Sequence, residues 1–178
     1  MRLPRLVSAL LTTLALTTVA GAQQPAPSVI TVPAFRGRPP RLLADTMGNP
    51  FEVPSGAGRV FSALVAVYAD LKIPTEIRDS AQLQVGNQTF DRRGDVAGRR
   101  LSAYLECGED MMGPRADFNR IDISLISFIK PQGADAVILR SVMLANAVNV
   151  GVRGTIPCQS TGELERRIYD LVQKKLGN

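Results

Sequence analysis

The sequence contains no histidine and no tryptophan, and it has only two cysteines in 178 residues. Without histidine, Ser-His-Asp and Cys-His activation of a nucleophile are excluded. The commonest zinc ligand is missing too. Aromatic residues make up 5% of the chain, too few to interleave with a basic stripe as nucleic-acid binding requires. Neither a G-x-x-x-x-G-K nor a G-x-G-x-x-G phosphate loop occurs. These gaps lead us to expect no metal, no cofactor and no nucleic-acid partner.

What is present begins with a three-part N-terminus. Arg2 and Arg5 give a short positive segment, Leu6 to Val19 carries no charge, and Ala20-Gly21-Ala22 offers the small residues that a signal peptidase reads. The uncharged run is shorter than the ~20 residues of a membrane-spanning helix. We therefore expect a signal peptide over 1–22, cleaved after Ala22, and a periplasmic or secreted product with no transmembrane segment. No cysteine follows the small residues, so a lipid anchor is not indicated. Losing two arginines lowers the formal net charge from +5 to +3. This mild excess favours solubility and tolerates anionic surfaces.

Both cysteines lie in the mature part. In an exported chain, Cys107 and Cys158 are expected to form a disulfide. Seven of the 12 prolines fall between Gln23 and Ser55. Proline removes a backbone donor and holds the preceding residue extended, so 23–54 reads as a Pro-rich arm or linker. Within it Val29 to Val32 reads as a short strand, and Arg36, Arg38 and Arg41 form a basic cluster.

The folded domain is expected over 55–178. Val60, Leu64, Val67, Tyr68 and Leu71 fall at helical spacing, with Ser55 as the expected cap and Pro74 as the stop. Ala81 to Val85 and Gln88 to Phe90 read as a hairpin around a Gly86-Asn87 turn. Arg99 to Cys107 alternates as a half-buried strand. Arg120 to Lys130 and Ala134 to Asn149 read as a hairpin joined by Pro131-Gln132-Gly133. Ser160-Thr161-Gly162-Glu163 has the S-x-x-E pattern of a capping box. Leu164, Ile168, Leu171, Val172 and Leu176 then follow helical spacing up to Gly177.

This order predicts an α+β fold: an antiparallel sheet with two helices on one face and one disulfide. It resembles the helix-grip layout of domains found in some periplasmic and outer-membrane assembly lipoproteins. The resemblance is one of element order, carries no motif residue, and implies a fold only.

Several short motifs also occur. Ser127-x-x-Lys130 spells the serine–lysine pair of penicillin-recognising enzymes, but a strand puts positions three apart on opposite faces. Arg93-Gly94-Asp95 spells an adhesion tripeptide, and Asn87-Gln88-Thr89 a glycosylation acceptor. Glu106, Glu109 and Asp110, with Asp117 and Asp122 further on, form an acidic group around Cys107. They suggest a carboxylate-dependent envelope hydrolase or an oxygen-ligand cation site. Arg92, Arg93, Arg99 and Arg100 flank an expected loop and are the expected partner contact. The leading expectation is a non-catalytic binding module of the cell envelope, whose partner is an envelope protein or an anionic polymer. The carboxylate hydrolase is the alternative, and an assembly factor acting through an open sheet edge is a third.

Overall fold

The computed structural model describes residues 27–32, 40–149 and 154–177. The expected signal peptide, Arg36 and Arg38 lie outside them. Along the chain run β1 (Val29–Val32), β2 (Arg41–Ala44), β3 (Phe51–Val53), α1 (Ala57–Asp70), β4 (Ile77–Asp79), β5 (Gln84–Arg93), β6 (Asp95–Val96) and β7 (Arg99–Arg100). After a 3₁₀ turn (Leu101–Ala103) come β8 (Leu105–Glu106), β9 (Glu109–Asp110), β10 (Gly113–Pro114) and α2 (Arg115–Phe118). Then follow β11 (Arg120–Pro131), β12 (Val137–Asn149), β13 (Gly154–Ser160) and α3 (Glu163–Leu176).

The main sheet runs β4-β5-β11-β12-β13-β8, and β3 pairs with the far end of β12. Every pairing is antiparallel, as short connections between sequential strands favour. The β11–β12 hairpin at its centre matches the expected one. Successive side chains of a strand point to opposite faces, and β11 sorts its residues accordingly. Ile121, Ile123, Leu125 and Ile129 join a core with Val60, Leu64 and Val67 of α1 and Leu164, Ile168 and Val172 of α3. Ile126 and Phe128 belong to a second core, closed by Val32 of β1 and Leu43 of β2. The expected α+β architecture with a mostly antiparallel sheet is therefore present. The described residues also include a third, one-turn helix, α2.

The stretch read as a Pro-rich arm thus contributes one hairpin over a face of the sheet and one strand within it. The β1–β2 hairpin lies over the face opposite the helices, and β3 extends the sheet itself. Leu43 and Val53 are wholly buried. The alternation Phe51-Glu52-Val53 carried that signal but was masked by the surrounding prolines.

Four local expectations need correction. Gly86-Asn87 is no turn: it lies inside the ten-residue β5. A Cβ on Gly86 would stand 2.3 Å from the Leu125 carbonyl oxygen and 2.7 Å from the Ile126 Cα. The β5–β11 register shifts beside it, between Ile123 and Leu125. The glycine therefore marks a bulge and a close approach of two backbones. Second, Arg99 to Cys107 is not one strand. Leu101, Tyr104 and Leu105 are buried while Ala103 is exposed, which is the spacing of a helical turn. Asp117 holds that turn by accepting from both the Ser102 backbone N–H and the Ser102 hydroxyl, each at 2.8 Å.

Third, the S-x-x-E sequence does not form a capping box. Gly162 occupies the cap position at φ +83°, and Thr161 Oγ1 accepts from the Glu163 N–H. Ser160 accepts from the Gly162 N–H and donates to Glu165, at 3.1 and 2.7 Å. Fourth, Ser55 does not cap α1. The cap residue is Gly56, without a side-chain bond, and the Ser55 hydroxyl is buried without a partner.

Glu165 yields a pH prediction. It is buried, one carboxylate oxygen accepts from Ser160, and the other lacks a partner. Burial raises its pKa above the ordinary 4.5, with the Ser160 hydrogen bond opposing. The folded state then holds this proton more tightly than the unfolded state does. Its contribution to stability falls as pH rises from about 4.5 toward the raised folded value. Glu165→Gln keeps an oxygen for Ser160 and removes the buried charge. Thermal melts from pH 4 to pH 8 are expected to show the variant gaining on wild type as pH rises. A constant difference across that range would contradict this.

Candidate interaction surface

The disulfide forms as expected, joining Cys107 to Cys158 across 51 positions. Cys107 follows β8 and Cys158 lies in β13, whose Gln159 and Ser160 pair with Glu106 and Leu105. The bridge therefore clamps the end of the sheet from which residues 108–118 project. The β9–β10 hairpin reverses at Met111-Met112, and α2 returns the chain to β11. Met111 is 104% exposed, Met112 68% and Phe118 40%. Phe118 belongs to the same unit, because a Cβ on Gly113 would stand 3.4 Å from its ring. Asp110 braces the hairpin by accepting from the Met112 N–H at 2.9 Å and facing Arg115 at 3.8 Å.

The structure does not bring the four candidate arginines together. Arg92 turns toward the helical side. It donates to the Lys72 carbonyl and lies over the Phe90 ring, 5.2 Å from its centroid. Arg99 lines a cleft of about 340 Å³ with Arg166, Arg167 and Asp170 of α3. Arg93 and Arg100 meet the end of α2 instead. Arg93 donates to the Phe118 carbonyl at 3.3 Å, and Arg100 lies 3.9 Å from Asp117. The loop 93–100 thus adjoins α2, at the base of the segment 108–118, whose apolar tip is flanked in the same hairpin by Glu109 and Asp110 with Arg115 beside Asp110. Sequence reasoning missed Met111, Met112 and Phe118. Two adjacent methionines beside glycine and proline are the signal that could have found them.

The acidic group is dispersed as well. Glu106, Glu109 and Asp110 are all exposed, so they do not converge on a concave site. Asp117 holds the 3₁₀ turn. Asp122 lies on the second sheet face beside Arg120, at 3.8 Å. Burial raises its pKa, and Arg120 opposes the shift. Among the described residues, no group of three Cys, Asp or Glu side chains is placed to hold a metal ion.

Neither protein-family models nor curated proteins yield a match to this chain. The surface must be read from its own chemistry.

The remaining motifs find structural roles. Ser127 lies 2.9 Å from the Tyr68 hydroxyl and 2.6 Å from Ser141 Oγ, in a buried chain of three hydroxyls. Burial raises the Tyr68 pKa so far that the phenol stays protonated. Lys130 takes the opposite strand parity, so the serine–lysine pair is not assembled. Asn87 is buried within β5, which denies it to a glycosyl carrier. No helix among the described residues is long and apolar enough to cross a membrane.

Proposed function

We propose that this chain is an exported, non-catalytic interaction module of the cell envelope, with its two long helices on one sheet face in a helix-grip-like layout. It docks onto an envelope protein through the 108–118 hairpin and the adjoining arginines. The carrying observation is the exposed Met111-Met112 tip on a hairpin rooted at the disulfide. Large apolar side chains left in water are informative when they cluster. Methionine and arginine are enriched at protein interfaces, and methionine adapts its shape to a partner pocket. Rooting the hairpin beside a covalent bridge lowers the ordering cost of binding.

The rim decides between the two partner classes. A polyanion would meet Glu109 and Asp110 in the same hairpin as the methionines. A protein surface carrying both signs of charge can complement both. The partner is therefore a protein with an apolar pocket and a mixed-charge border.

A photo-reactive residue placed at Met112 in the exporting host tests this. One stoichiometric protein adduct is expected. It should be absent when the probe sits at exposed Ser62, and lost when Arg93→Ala and Arg100→Ala are added. An adduct with an envelope polymer, equal labelling from both positions, or no adduct would overturn the proposal.

A further inference from the structure

The chain offers few groups that a two-electron oxidant attacks. It has no histidine and no tryptophan, and its two cysteines are joined to each other. No thiol is therefore left to react first. The five methionines remain. Met1 lies outside the described residues. Met143 belongs to the helix-side core and is 6% exposed, and Met47 is 39% exposed. Met111 and Met112, at 104% and 68%, stand furthest into solvent and are adjacent in the chain.

Their place separates oxidation from damage. A core methionine that becomes a sulfoxide puts a polar group among apolar contacts, and the packing fails. Neither tip methionine belongs to a core cluster. The hairpin beneath them is held by other groups: the β9–β10 pairing, the bond from the Met112 N–H to Asp110, and the disulfide at its root. None of these uses a methionine side chain, so the hairpin keeps its shape when a sulfur gains an oxygen.

We infer that Met111 and Met112 form a reversible oxidation site that switches the docking tip off. In the forward step a lone pair of the thioether sulfur attacks one oxygen of a peroxide. The S–O bond forms and the O–O bond breaks; the proton on the transferred oxygen passes to the departing hydroxide, and water leaves. Sulfur is oxidised and the peroxide reduced. In the return step a methionine sulfoxide reductase removes the oxygen as water while two thiols close to a disulfide. Each sulfoxide replaces an apolar group by a polar one. Burying it in an apolar partner pocket without a hydrogen bond is unfavourable. The switch rests on the docking surface proposed above; the site of oxidation does not.

Hydrogen peroxide on the purified mature chain tests the site, with peptide masses following each methionine. Met111 and Met112 are expected to gain one oxygen each, and Met143 to react about tenfold or more slowly, because it is reached only through opening of the core. The melting temperature is expected to stay unchanged. Retention on a hydrophobic-interaction column should fall on oxidation and return after treatment with sulfoxide reductases A and B. In the Met111→Leu, Met112→Leu double variant it should hardly move. A photo-reactive residue at Phe118, which leaves both methionines in place, tests the switch in solubilised host envelope. The protein adduct is expected to weaken about tenfold after peroxide, as burial of an unpaired polar group implies, and to return after the reductases. Met143 oxidising as fast as the tip, a lowered melting temperature or unchanged retention would overturn the site. An adduct of equal strength before and after peroxide would overturn the switch. No adduct from the reduced protein would overturn the docking surface and the switch with it, and the site would then stand or fall on the masses and the retention.

Discussion

Replacing Cys107 and Cys158 with alanine is expected to remove about 4 kcal/mol of stability. The bridge spans 51 positions, and closing a loop of that length restricts the unfolded chain by about that amount on the chain-entropy model. The expected fall in melting temperature is about 10–15 °C for a domain of this size. The loss should be uneven. Only Gln159 and Ser160 pair with Glu106 and Leu105 to hold β8 against β13, so without the bridge this end of the sheet should open first. Hydrogen exchange should then rise early in residues 105–118, while β11 and β12 stay protected. Wild type heated with reductant should reproduce the variant, and the variant should not respond to reductant. A melting temperature unchanged by either treatment would show that the bridge does not constrain the fold. The same variant bears on function, since the exposed methionine tip is rooted at Cys107. Partner capture from Met112 should weaken even below the melting transition.

Gly86→Ala is expected to cost about 3 kcal/mol, the upper part of the range for overpacking a tight interior. The added Cβ would meet the Leu125 carbonyl oxygen at 2.3 Å and the Ile126 Cα at 2.7 Å. Both are backbone atoms of the central strand, so no flexible side chain can move aside. β5 and β11 would have to separate where the register already shifts. Gly58→Ala provides the control. Nothing lies within 4 Å of the Cβ it would add, and glycine inside a helix is less favourable than alanine by about 1 kcal/mol. That variant is expected to gain stability. Urea unfolding of the two variants beside wild type checks both signs. A Gly86→Ala protein as stable as wild type would mean that β5 does not approach β11 so closely.

The elements that could be read in advance are those whose signal is periodic and long. The stripe from Val60 to Leu71 became α1, and that from Leu164 to Leu176 became α3. The alternation from Arg120 to Lys130 and the apolar run from Ala134 became the central hairpin, and the isolated cysteine pair became the disulfide. Short segments were misread because one local pattern has several physical origins. Gly86-Asn87 resembles a turn, yet a glycine is also what a close approach of two strands needs. Leu101 and Leu105 satisfy alternation, yet they are also one helical turn apart. Ser160 and Glu163 spell a capping box, but the buried Glu165 took the Ser160 hydroxyl instead.

The candidate site divides in the same way. Four arginines close together in sequence were expected to make one contact, but the strand and turn geometry sends Arg92 and Arg99 in other directions. Residue type and spacing by themselves determined the absence of histidine chemistry, the two long helices, the central hairpin and the covalent clamp, because these depend on composition or on a local period. Only tertiary structure decided that a proline-rich stretch closes the second face of the sheet, that Met111 and Met112 stand in solvent while Arg93 and Arg100 meet α2, and that the Asp45 Oδ1 is buried without a partner. Each of these depends on which distant segment fills the space around a side chain, and a local pattern does not encode that.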